Sequence, residues 1–168
     1  MSFVRFAVAS VAIATAVVAH AAPGSREVVV DYKEAPNPPA MLKRAPQIHH
    51  SFSITDNGKE SHSGSWADTP YAQGCVNGRI KPGDVKTGYA VSLALHHETS
   101  RALVLHLNYE ILDLQSLPEI QAGPGCLLQQ PRTRRRAESG VSVTVPLSGD
   151  PVTYPLSDGA ELIFRMLQ

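Results

Sequence analysis

Apolar and polar residues alternate along much of the second half of the chain. Tyr89, Val91, Leu93 and Leu95 are interleaved with Ala90, Ser92 and Ala94. After a polar break at "HETSR", Leu103, Leu105, Leu107 and Tyr109 alternate with Val104, His106 and Asn108. A period of two marks a strand with one buried face. Two such runs in succession predict an antiparallel pair, with Leu95 opposite Leu103, Leu93 opposite Leu105 and Val91 opposite Leu107. A one-residue slip would mix the faces. The alternation returns at Val141, Val143, Val145 and Leu147, and again at Leu162, Phe164 and Met166. Earlier in the chain, "QIHHSFSIT" and "KESHSGSW" flank Asp56-Asn57-Gly58, which predicts a hairpin because Asn and Gly tolerate positive φ. "CVNGRIKPGD" reads as a turn-rich link, and "SHSGSWAD" as a strand end with Trp66 over the edge of the core. No segment sustains a helical period. Short strands between Gly- and Pro-rich turns predict an all-β fold, a small antiparallel β-sandwich.

The first residues break this pattern. Arg5 precedes an uncharged small and apolar run from Phe6 to Val18, followed by Ala19-His20-Ala21. That is the layout of a secretory signal peptide, residues 1–21, with an apolar core too short for a membrane span. Residues 22–46 read as a Pro-rich extended linker, with Pro36, Pro38, Pro39 and Pro46 denying helix. Inside it "REVVVDY" (Arg26–Tyr32) is β-prone, and predicts a peripheral strand or a free segment that pairs with another chain. The sandwich domain is then 47–168. The expected location is periplasmic or secreted, with no transmembrane span.

Export changes the reading of Cys75 and Cys126, the only two cysteines. In an oxidising compartment a lone pair in a small domain predicts one structural disulfide. Closing a loop of about 50 residues would stabilise by roughly 4 kcal/mol. Charge is balanced, 15 Lys and Arg against 15 Asp and Glu, so nothing points to nucleic acid. The chain holds no nucleophile elbow, phosphate loop, dinucleotide fingerprint or His-Glu-x-x-His. The expectation is a non-catalytic protein with no cofactor and no metal. In the predicted register His96 and His106 share a face roughly 13 Å apart, too far to share an ion. His49 or His50 with His62 across the Asn-Gly hairpin offers only two ligands, too few for structural zinc.

One cluster carries a binding expectation. Arg132, Arg134, Arg135 and Arg136 fall in a long connection between Leu112 and Gly140. Guanidinium groups pair well with phosphate and carboxylate. A solvent-facing loop carrying four of them would meet an anionic surface or the acidic face of an envelope protein.

The tail, Pro131-Arg132 and Arg134 to Arg136 followed by "VSVTVPLSGDPVTYPLSDGAELIF", resembles the closing β-region of the bacterial secretin family of outer-membrane secretion channels. There an arginine-containing stretch precedes alternating strands and an Asp-Gly turn, here Asp158-Gly159. The resemblance covers the last third of the chain and implies a place in envelope secretion or assembly. The chain has no room for the family's periplasmic modules and full channel domain. Chaperone–usher pilus subunits offer a second likeness: exported, β-rich, one disulfide, with "REVVVDY" in the place of a donor strand. "LIFRMLQ" lacks the near-terminal Gly and penultimate Tyr of that group. Together these readings predict an exported envelope protein acting in binding or assembly, with self-assembly as one form of it. The alternatives are a pilus or surface-fibre subunit, or a small secreted hydrolase or enzyme inhibitor.

Overall fold

The computed structural model of the chain describes residues 25–36 and 47–168. The predicted leader, and Pro38, Pro39 and Pro46 of the predicted linker, lie outside the described residues. Every regular element described is a strand: β1 (Ser25–Lys33), β2 (His49–Thr55), β3 (Ser61–Val76), β4 (Arg79–Glu98), β5 (Ala102–Ser116), β6 (Glu119–Gly123), β7 (Cys126–Gln129), β8 (Arg132–Pro146), β9 (Val152–Pro155) and β10 (Glu161–Met166). They form two four-stranded antiparallel sheets, ordered β2-β1-β10-β9 and β3-β4-β5-β8, plus the β6-β7 hairpin. The fold is all-β, with antiparallel sheets packed together and a single disulfide, as the alternation predicts.

The core lies between the two sheets. Val28, Val30, Phe52, Ile54, Leu162 and Phe164 come from the first, and Val91, Leu93, Leu103, Leu105, Leu107, Ile111, Val143 and Val145 from the second. Each of these is at most 3% exposed. Burying a side chain of this size contributes about 1.5–3 kcal/mol, so the alternating positions carry the fold.

Three expectations are corrected. β1 is neither peripheral nor free: it lies between β2 and β10, with Val30 opposite His50 on one side and Phe164 on the other. The sandwich therefore includes Ser25–Lys33 and does not start at residue 47. Three successive valines, all buried, gave no alternation by which to place the strand, and the prolines after it suggested a linker. Second, Asn57-Gly58 closes no hairpin. β2 and β3 belong to different sheets, so this turn is the crossover between layers. The tight hairpin turn is Asn77-Gly78, with φ of 51° and 74°, in the stretch read as a link. Third, the β4–β5 register is offset by two residues. Leu95 faces Leu105, Leu93 faces Leu107 and Val91 faces Tyr109. An offset of two keeps every side chain on its face, so alternation cannot choose between the two pairings. The observed one shortens the connection to Thr99-Ser100-Arg101, where the Thr99 hydroxyl accepts from the Ala102 amide. A bulge between Leu95 and His97 lets the ladder continue to that turn.

One feature has no counterpart in the alternation. β4 pairs with β5 only from Gly88 onward, opposite Leu112. Beyond that point β3 and β4 continue as a two-stranded ribbon, Ala67–Val76 against Arg79–Thr87. β5 and β8 continue likewise to Ser116 and Arg132 and lead into β6-β7. The two ribbons form an arm. Trp66 sits where it departs, 37% exposed with the Lys86 ammonium 5.5 Å from its ring, and does not cover the core.

Candidate functional site

The arm is held together at its end. Cys75 on β3 and Cys126 on β7 form the predicted disulfide, with Cα atoms 6.3 Å apart. The Ala72 amide donates to the Gln129 side-chain oxygen at 3.0 Å, a second tie between the ribbons. Around these ties four large apolar side chains are exposed among polar ones such as Arg79, Lys81 and Glu119. Val76 is 58% exposed, Ile80 62%, Ile120 45% and Leu127 49%. Among the described residues only Trp66 and Leu167 join them as exposed large apolar side chains. The chain buries its alternating core positions and leaves these four large apolar groups exposed on the arm.

The four arginines do not form one surface. They lie on strand β8, not in a loop. Arg136 is buried, and its guanidinium bonds to Asp113 and to the Asp158 carboxylate at 3.1 Å. It also donates to the Tyr32 hydroxyl at 3.0 Å and lies 5.5 Å from that ring. Arg134 reaches Asp158 at 2.7 Å and Asp113 at 3.3 Å. Burial opposes the charge on Arg136, but the Tyr32 hydrogen bond and the Asp113 charge outweigh it and hold the guanidinium pKa above its ordinary value. Burial pushes the Tyr32 phenol up, against the pull of Arg136. The cluster joins the sheets: Arg134, Arg136 and Asp113 belong to one, Tyr32 to the other, and Asp158 to the turn between β9 and β10. Two Arg and two Asp balance, which is how buried charge is tolerated. Arg135 points to the outer face and pairs with Glu110 at 2.7 Å. Arg132 is exposed and has no ion-pair partner among the described residues. The expected anion-binding set thus reduces to Arg132 and Arg135.

A polar network that sequence reasoning missed sits on the outer face of the β3-β4-β5-β8 sheet. Ser92 and the Asn108 amide both donate to one oxygen of Glu60, the latter at 2.7 Å. The Asn108 carbonyl accepts from the Gly140 amide at 2.8 Å, beside the irregularity in β8. These two donors hold the Glu60 carboxyl below its ordinary pKa, against the cost of burial. His62 lies 3.6 Å from its other oxygen. A cavity of about 240 Å³ opens beside the network, lined by His62, Ser92, Asn108, Glu110 and Arg135 among others. Ser92 donates straight to the carboxylate and not to a histidine, so the arrangement fixes Glu60 rather than activating a hydroxyl.

The histidines are rearranged by the corrected folding. His49 and His62 sit on strands of different sheets, so the two-histidine candidate across a hairpin falls away. His106 faces Ala94 rather than Ser92. His96, expected roughly 13 Å from it, lies with its ring centroid 4.5 Å from that of His106. Among the described residues no helix is long and apolar enough to cross a membrane. Comparison with protein-family models, curated proteins and solved structures finds no match. The class the fold and site define is a two-sheet antiparallel β protein with a disulfide-tied arm.

Proposed function

We propose that this chain is an exported, non-catalytic envelope protein that works by binding or assembly, and that its contact surface is the end of the arm. The observation that carries the reading is the exposure of Val76, Ile80, Ile120 and Leu127 around Cys75–Cys126. The bridge ties the two ribbons, so the apolar groups meet a partner with little loss of conformational freedom. The leader-like start and the disulfide fit an oxidising compartment. The likeness of the last third to the secretin closing region fits a role beside an envelope channel or fibre. Pilus subunit is the nearest alternative. There β1 would serve as the donor strand, yet here it completes its own sheet between β2 and β10.

Sedimentation velocity over a range of protein concentrations tests the reading. The wild-type chain should form concentration-dependent oligomers. The variant Val76→Ser/Ile80→Thr/Ile120→Thr/Leu127→Ser should stay monomeric with an unchanged unfolding midpoint. Association that survives in the variant, or turnover of an ester or glycan panel by the purified protein, would sink the reading.

A further inference from the structure

Six histidines lie among the described residues, and the fold gives partners to three. His49 Nδ1 meets Asp31 at 2.5 Å, His50 Nε2 meets the Tyr89 hydroxyl at 2.5 Å, and His62 lies 3.6 Å from Glu60. The other three meet only one another. The His96 ring lies 4.5 Å from that of His106 and 5.0 Å from that of His97, centroid to centroid. His106 Nδ1 is buried without a hydrogen-bond partner. Leaving a buried nitrogen unpaired is unfavourable, and the register shift between Leu95 and His97 takes His96 out of the regular ladder pairing. Bulges re-aim side chains next to sites.

The spacing has a chemical meaning. An imidazole nitrogen binds a first-row ion at about 2.0–2.1 Å, which puts the ion about 3.2 Å from the ring centroid. Two rings sharing one ion at a right angle then have centroids about 4.5 Å apart, and at a tetrahedral angle about 5.2 Å. The observed separation is 4.5 Å. Among the described residues no group of three or more His, Cys, Asp or Glu is placed to hold an ion. The rings are tilted by 51°, and two imidazoles with the other positions left to water suit tetragonal copper(II) better than tetrahedral zinc.

We propose that His96 and His106 form a two-imidazole binding site for copper(II) on the outer face of the β3-β4-β5-β8 sheet. His106 Nδ1 is the assigned donor, because it is buried beside the His96 ring with no hydrogen-bond partner. A modest rotation of the exposed His96 ring opens the way.

The experiment uses the full chain without an affinity tag, titrated with copper(II) in a weakly chelating buffer. Electron paramagnetic resonance should show one tight copper per chain with hyperfine structure from two imidazole nitrogens. The variant His96→Gln/His106→Gln should lose at least about tenfold in affinity, while His49→Gln/His50→Gln keeps it. A second readout needs no variant. Substoichiometric copper should broaden the NMR amide signals of Ala94, His96, His106 and Ser142 before all others. A single-imidazole spectrum, unchanged affinity in His96→Gln/His106→Gln, or first broadening elsewhere would overturn the assignment.

Discussion

Replacing Arg136 should be among the most damaging single changes on the surface of the sequence's charge pattern, although it sits in a run that looks solvated. Its side chain is 2% exposed and that of Asp113 is 3% exposed. Removing the guanidinium by Arg136→Met leaves Asp113 buried with Arg134 as its remaining cation, 3.3 Å away. Breaking a buried pair from one side costs about 3–5 kcal/mol, because the other charge stays desolvated. The change also removes the Tyr32 hydrogen bond and one of two guanidinium contacts to Asp158, which link the sheets. For a domain of this size the loss corresponds to roughly 10–20 °C in unfolding midpoint. Arg135→Met is the control. Its side chain is 64% exposed and its Glu110 partner 41% exposed, so the loss should stay below about 1 kcal/mol and shrink with salt.

Urea unfolding with the disulfide intact measures both, and a third variant sharpens the test. Asp113→Leu combined with Arg136→Met removes both charges and should be more stable than Arg136→Met alone, since an apolar pair of similar volume often replaces a buried ion pair at no cost. If Arg136→Met falls within about 1 kcal/mol of wild type, or if the double variant is worse than the single, the cluster is not the buried pair described and the reasoning fails.

Removing the bridge by Cys75→Ser/Cys126→Ser should speed hydrogen exchange in residues 71–81 and 119–129 while Leu105 and Phe164 keep their protection. The global loss should fall short of the roughly 4 kcal/mol of the chain-entropy model, because the untied arm also gains freedom in the native state. Gly88→Ala should destabilise by at least about 2 kcal/mol: its φ is +141° and an added Cβ would lie 2.1 Å from the Ser65 carbonyl oxygen. Denaturant titration decides it, and a neutral result would mean β3 can move away. Glu60→Gln should lower the midpoint at neutral pH, and the gap to wild type should close under acid. The folded pKa lies below the ordinary 4.5, so the contribution is complete above that value and is lost as pH falls through the folded pKa. A gap that stays constant from pH 6 to about pH 3 would contradict the Ser92 and Asn108 bonds as its source.

What could be read from the chain alone follows from what period two encodes. Alternation reports which side of a strand is buried, so it found the Leu103–Tyr109, Val141–Val145 and Leu162–Met166 faces and with them the sandwich. It says nothing about an offset of two, and so the histidine pair stayed hidden until the ladder was seen to run on to Thr99. It also fails where neither face is buried. Tyr71 to Asp84 lies in the arm, mostly outside the core, and its turn residues made two paired strands look like a link. Asn77-Gly78 was the available signal, and it competed with Asn57-Gly58, which has the same chemistry but joins two sheets.

The arginine cluster shows how the same rule could have reached further. Along β5, Tyr109, Ile111 and Asp113 occupy one parity, so Asp113 stands where an inward apolar residue belongs. A carboxylate in such a slot demands a buried cation, because an unpaired one costs more than a small domain can spare. Arg134 and Arg136 share a parity two apart, and Asp158-Gly159 supplies a second carboxylate beside a turn. Reading the four arginines as one solvated patch ignored that parity divides them: Arg134 and Arg136 face the core with Asp113, and Arg135 faces out with Glu110. A charge run on a strand is therefore two rows of charge with two different fates. Arg134 and Arg136 of the inward row bind the sheets together, whereas Arg132, of the same parity but out on the arm, is exposed and, with the outward Arg135, is left to meet anything outside the chain.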